Sequence, residues 1–162
     1  IYRWYRGELR CLRRGVTIPN SICFSPDGRL AYFSDTALGT MFRWRLDPEG
    51  WPIGAPEVFY RAERPGEGPD GAVTDESGAV WVAIWGGARV QRIGSDGAAR
   101  DMVRLPVPQP SCPALSPEGM MFITTAREGL DAAALQAAPQ SGGIFIAQLG
   151  IGALPEPRVL LG

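Results

Sequence analysis

The chain has 162 residues, enough for one domain with a real core. Its formal net charge is -1, and all 16 positive side chains are arginine, with no lysine and no histidine. These values exclude a basic nucleic-acid footprint, a polybasic membrane anchor, His-containing triads, imidazole metal ligands and lysine Schiff-base chemistry. An enzyme made from this set of residues works with carboxylates, amides, hydroxyls, arginines or a metal held by oxygen.

In chain order, Ile1-Tyr2-Arg3-Trp4 and Leu9-Arg10-Cys11-Leu12 read as two strands around Arg6-Gly7. Ile22-Cys23-Phe24 is a short inner strand, followed by the Pro26-Asp27-Gly28 turn and a second strand from Leu30 to Ser34. Met41 to Leu46 alternates as a half-buried third strand, turned at Asp47-Pro48-Glu49-Gly50, and Glu57-Val58-Phe59-Tyr60 forms an outer edge. Ala72-Val73-Thr74, Val80 to Ile84, Arg89 to Ile93 and Met102-Val103-Arg104-Leu105 repeat the scheme, with Gly94-Ser95-Asp96-Gly97 as the corresponding turn. A third unit runs through Met121-Phe122-Ile123-Thr124, an alanine-rich stretch over 130–138 read as one or two helical turns, and Ile144-Phe145-Ile146-Ala147. Arg158-Val159-Leu160-Leu161 is the expected last strand. The 21 glycines and 15 prolines fall at regular turns, which marks an all-β chain rather than a disordered one.

The units are one motif repeated. Ser25-Pro26-Asp27-Gly28, Asp75-Glu76-Ser77-Gly78 and Ser116-Pro117-Glu118-Gly119 align by their glycines, 50 and then 41 residues apart. That spacing suits four-stranded propeller blades. The chain is expected to be about three and a half blades, the C-terminal part of a single larger propeller domain whose earlier blades lie upstream, because an open half-ring exposes strand edges.

Eight residues before each glycine lie Asn20, Asp70 and Ser111. The inner strands of a propeller converge on one axis, so residues in one register in successive blades meet there. A carboxylate beside a carboxamide offers oxygen ligands to a hard cation. Pro69-Asp70-Gly71 is also an ordinary turn signal, but Pro26-Asp27-Gly28 already fills the hairpin position, so the repeat does not explain Asp70 as a turn residue. Asn20 read alone is an Asx turn residue, and the Ser111 hydroxyl is a poorer ligand that lines the channel. Asp35 reads as a hydrogen-bonding residue between blades or in a turn. Arg127 faces the mouth or, more in keeping with base rates, makes a structural ion pair. Trp81, Trp85 and Phe122 are expected between blades, and Gly86-Gly87 is no phosphate loop, since no helix pattern follows.

Cys11, Cys23 and Cys112 form no C-x-x-C pair, which fits a reducing compartment, with Cys23 and Cys112 as small buried hydrophobes. No apolar run reaches the roughly 18 residues of a membrane span, and no signal peptide is visible, so a cytoplasmic location is expected.

The chain resembles the senescence marker protein/gluconolactonase family, also called regucalcin-like proteins. The matching segments are 18–28 (Ile-Pro-Asn-Ser-Ile-Cys-Phe-Ser-Pro-Asp-Gly), Pro69-Asp70-Gly71, 78–90, 124–130 and Ser141-Gly142-Gly143-Ile144-Phe145, in the family's order. The resemblance implies a six-bladed β-propeller with one divalent metal in its central channel, acting on small-molecule sugar lactones to give aldonic acids. It further implies a metal held by a glutamate, an asparagine and an aspartate, with Asn20 matching the asparagine and Asp70 the aspartate. Asp70 is then both ligand and general base, and the glutamate belongs to blades before Ile1. Oxygen donors suit Ca²⁺, Mg²⁺ or Mn²⁺ and are accepted by Zn²⁺. Two other readings stay open: a non-catalytic metal-binding or interaction propeller, and a related propeller hydrolase acting on another ester or phosphoester.

Overall fold

Apolar alternation broken by glycine turns builds antiparallel sheets. The computed structural model describes residues 1–155, and the expected strand over Arg158-Val159-Leu160-Leu161 lies outside them. Strands β1 (Tyr2–Tyr5) and β2 (Glu8–Cys11) form a two-stranded ladder. They are turned by Arg6 and Gly7, with φ of 49° and 84°. The next sheet is a meander of β3 (Pro19–Phe24), β4 (Leu30–Asp35), β5 (Thr40–Leu46) and β6 (Pro52–Arg61). A second meander holds β7 (Gly68–Thr74), β8 (Val80–Trp85), β9 (Arg89–Ile93) and β10 (Ala99–Arg104). The third contains β11 (Pro110–Leu115), β12 (Met120–Thr125) and β13 (Ile144–Gln148). The alanine-rich stretch before β13 carries helix α1 (Ala132–Ala137), capped by Asp131, whose carboxylate accepts the Ala134 N–H at 2.8 Å.

The sheets stack face to face as successive propeller blades. Strand β8 is buried on both sides, which explains its unbroken apolar run. Val80, Val82 and Ile84 pack with Tyr32, Met41 and Phe59 of the preceding blade. Trp81 packs with Val107, Met121 and Ile123 of the following one. Each such side chain contributes about 1.5–3 kcal/mol of burial. Trp81 therefore sits between blades as expected. Phe122 lies on β12 between the buried Met121 and Ile123, so strand alternation turns it, with its cross-strand neighbour Ile146, to the outer face of the last described sheet, which no other described sheet covers.

The inner strands β3, β7 and β11 lie side by side, β3 against β7 and β7 against β11. They begin earlier than the apolar pattern suggests, at Pro19, Gly68 and Pro110. Each is then interrupted at the same place. The ladder register shifts between Asn20 and Cys23, between Pro69 and Ala72, and between Pro110 and Cys112. Asp70 and Ser111 thus fall within β-bulges, and Asn20, still paired with Ser34, immediately precedes the one in its own strand; a bulge re-aims side chains without ending the strand. Gly71 allows a close approach between blades. A Cβ there would lie 2.5 Å from Cys112 Sγ and 2.7 Å from the Ser111 carbonyl oxygen.

Candidate active site

The bulges are fixed by hydroxyls that reach from one blade to the next. Ser34 Oγ and Thr36 Oγ1 both donate to the Pro69 carbonyl, at 2.9 and 2.8 Å. Ser21 Oγ, in a bulge residue with φ of 59°, donates to the Asp70 carbonyl. Asn20 Nδ2 donates to Thr36 Oγ1 at 3.0 Å, so its amide nitrogen is engaged and its Oδ1 is the free oxygen. Asp35 supports the same corner. Burial would raise its pKa, but backbone N–H groups of Thr17 and Ile18, at 2.8 and 3.1 Å, hold it below the usual carboxylate range. It anchors the segment that leads into Asn20, which is the hydrogen-bonding role expected for it.

Asn20 and Asp70 line one cleft of about 510 Å³, together with Thr36, Glu67, Trp85 and Glu128. Asp70 forms no side-chain hydrogen bond and no ion pair among the described residues. Burial first, and the nearby Glu128 carboxylate second, push its pKa up to about 6. Glu67 differs: Arg89 grips both its oxygens at 2.8 and 2.9 Å and holds its carboxyl below the usual range. Glu67 is therefore spoken for, while Asp70 is a half-buried carboxylate without a counter-ion. The Asp70 carboxylate and the Asn20 Oδ1 fit a hard cation in donor chemistry. No cluster of three or more acidic or cysteine side chains suited to a metal occurs among the described residues, so these two form only part of a coordination shell.

The other expected residues divide. Asp27 stays in its hairpin, accepting Ser25 Oγ at 2.6 Å, with Gly28 at φ 68°. Ser111 is in register but outside the cleft lining, its hydroxyl 2.8 Å from Thr124 Oγ1. Arg127 is exposed and makes no ion pair among the described residues. Its methylenes pack over Gly142, and its neighbour Glu128 is the residue that reaches the cleft. Trp85 lines the cleft rather than a gap between blades. Cys23 is buried as expected. Cys112 is a correction: the residue has an exposed surface, although its Sγ lies over Gly71 and burial pushes the thiol pKa up. Thr36, Glu67 and Glu128 were missed. The Thr-Thr-Ala-Arg-Glu-Gly-Leu segment drew attention to the arginine, and only the fold separates the two neighbours.

Blades of a β-propeller, with an aspartate and an asparagine in one cleft, define the class of protein. Residues 1–127 match the family model described as the SMP-30/Gluconolactonase/LRE-like region. The chain belongs to this family. It is 44% identical over 133 residues to the L-arabinolactonase of Azospirillum brasilense, covering 82% of this chain and 44% of that protein. It is 35% identical over 144 residues to the 6-deoxy-6-sulfogluconolactonase of Pseudomonas putida, covering 88% of this chain and 50% of that one. Among solved structures, the calcium-binding protein regucalcin of Agrobacterium tumefaciens superposes with a TM-score of 0.87 at 40% identity, over 96% of this chain and 54% of that one. The chain spans about half the length of the curated relatives it matches.

Proposed function

We propose that the chain is the C-terminal part of a six-bladed propeller that hydrolyses sugar lactones to aldonic acids with a divalent cation. Asp70 and Asn20 would hold the cation, and upstream blades would supply the remaining ligands. The supporting observation is that two residues fifty positions apart converge on one cleft, one of them a carboxylate without a counter-ion. Lewis-acid polarisation of the lactone carbonyl is the chemistry such a cation supplies when bound.

Asp70 acts as general base and takes a proton from water as the water oxygen bonds to the carbonyl carbon. The tetrahedral oxyanion then collapses, and the bond from the acyl carbon to the ring oxygen breaks. Asp70 returns its proton to the departing alkoxide, leaving a hydroxy acid. Asn20 contributes a neutral oxygen, and the Thr36 bond fixes which end of the amide it presents. The names of the relatives support lactones as the substrate class. A reducing, cytoplasmic setting is supported by the small, odd number of cysteines, three, with no C-x-x-C pair among them.

The test is hydrolysis of a panel of sugar lactones by the full-length protein, with and without added divalent metal. Asp70→Ala is expected to lower kcat/KM at least about a thousand-fold, as loss of a positioned base and ligand does. Near-normal turnover in Asp70→Ala would sink its assignment as base, and no turnover of any lactone by the wild-type full-length protein would favour a non-catalytic metal-binding propeller. Asn20→Ala is expected to weaken metal affinity in a calorimetric titration, and an unchanged affinity refutes its role.

A further inference from the structure

Two side chains on the cleft wall have no part in the proposed hydrolysis, and their polar groups have no partner among the described residues. Trp85 ends β8, opposite Gly68 on β7, so no cross-strand side chain covers it. The tight turn that follows, with Gly87 N–H donating to Ile84 O at 2.9 Å, holds it in place. Trp44 and Trp81 both donate their indole N–H, to Gly54 O at 3.1 Å and to Asp75 Oδ2 at 3.0 Å. The Trp85 indole N–H has no acceptor among the described residues. Glu128 is anchored through its backbone, where the carbonyl accepts Gln109 Nε2 at 2.9 Å. Its carboxylate makes no hydrogen bond or ion pair among the described residues, although Arg127 is adjacent in sequence.

These two groups suit a particular ligand chemistry. A sugar ring offers apolar C–H faces, which an indole covers, and hydroxyl edges, whose protons a carboxylate accepts strongly. The charge balance narrows the choice further. Arg89 neutralises Glu67, no arginine among the described residues lines the cleft, and Glu128 is acidic, so apart from the cation proposed at Asp70 this wall offers an anionic ligand no partner.

We propose that Trp85 and Glu128 form the substrate-discriminating wall of the cleft, selecting neutral polyhydroxylated rings by stacking and by accepting ring hydroxyl protons. This rests on the lactonase reading of the site. The experiment compares D-glucono-1,5-lactone with δ-valerolactone, a six-membered lactone without hydroxyls, in the full-length protein. In Glu128→Ala the ratio of the two kcat/KM values is expected to fall about ten-fold or more, the usual loss of a hydrogen bond to a charged group. Glu128→Gln retains an acceptor oxygen without the charge and is expected to restore most of the ratio. Trp85→Phe is expected to raise KM for the sugar lactone more than it lowers kcat.

A ratio unchanged in Glu128→Ala, or an equal fall in the Ala and Gln variants, overturns the hydroxyl-accepting role. Should the wild-type protein hydrolyse neither lactone, the lactonase reading fails, and the wall is judged by binding alone. Methyl β-D-glucopyranoside, a neutral polyhydroxylated ring, is then the probe, read by calorimetric titration. A saturable change that Trp85→Phe and Glu128→Ala both abolish upholds the wall, and no such change overturns it.

Discussion

Asp70 and Asp75 lie five residues apart, at the two ends of one strand, and have opposite roles. Asp75, just past the end of β7, is fully buried and surrounded by donors: the Ser77 and Ala79 N–H groups, Ser77 Oγ, the Trp81 indole and Arg92 Nε. Every one of them belongs to its own blade, so Asp75 ties a hairpin shut. Asp70 sits in a bulge at the other end, and only its backbone carbonyl is engaged. Its carboxylate is half-buried, without a cation, and pushed up to about 6. One acid is stabilised by the fold and the other is held against its own preference. An unpaired carboxylate held in this way is the observation that supports the proposed ligand-binding role of Asp70.

Removing Asp75 should produce the largest change in stability. Asp75→Ala leaves Arg92 and the Trp81 indole without their shared acceptor, and is expected to cost about 3 kcal/mol. Urea unfolding of the full-length protein measures it, and a loss no larger than that of an exposed aspartate would erase the contrast. Next comes Gly71→Ala. The new methyl group meets Cys112 and the Ser111 carbonyl, neither of which is the far end of a flexible side chain. About 2 kcal/mol of overpacking is expected, together with weaker metal affinity as the β7 bulge shifts. Gly150→Ala, with open space around it and, like Gly71, no positive φ, is the control for glycine replacement itself.

A smaller effect with a definite sign concerns Asp70 itself in metal-depleted protein. Its folded-state pKa is raised above the ordinary 3.8. Its stabilising contribution is therefore complete below pH 3.8 and is lost as the pH rises through about 6. Asp70→Asn removes this dependence, so its stability relative to wild type should grow between pH 4 and pH 7 to about 2 kcal/mol. Denaturation at several pH values with chelator present checks it, and a flat difference would show that Asp70 is not held uncomfortably. At the bottom of the scale, Arg127→Ala should change stability by less than about 0.5 kcal/mol, since the side chain is exposed and makes no ion pair among the described residues. A larger loss in thermal denaturation would restore the ion pair expected from sequence.

Much of this fold is legible in the chain. The three aligned hairpins, the strand spacing and the double-sided apolar run of β8 follow from local rules, because glycine turns and side-chain alternation act over a few residues. The register of Asn20, Asp70 and Ser111 is legible for the same reason, as it is counted from a turn. What could not be counted is direction. Trp81 and Trp85 carry apolar side chains on one strand, yet one packs between blades and the other lines a cleft. Arg127 and Glu128 are adjacent charged residues in one loop, and sequence offers no rule for which of them turns toward Asp70.

The sequence by itself determined the blades, their order and the two oxygen donors placed in register, since each depends on periodicity within a unit. The tertiary structure alone decided which register-matched residues share a cleft. Asn20 and Asp70 line the same one, while the Ser111 hydroxyl stays on Thr124. It also decided that Glu67 is neutralised and Glu128 is not, because pairing depends on which blade stacks against which. Burial and the surrounding charges, set by chain segments far apart in sequence, fix the protonation and partners of each acid.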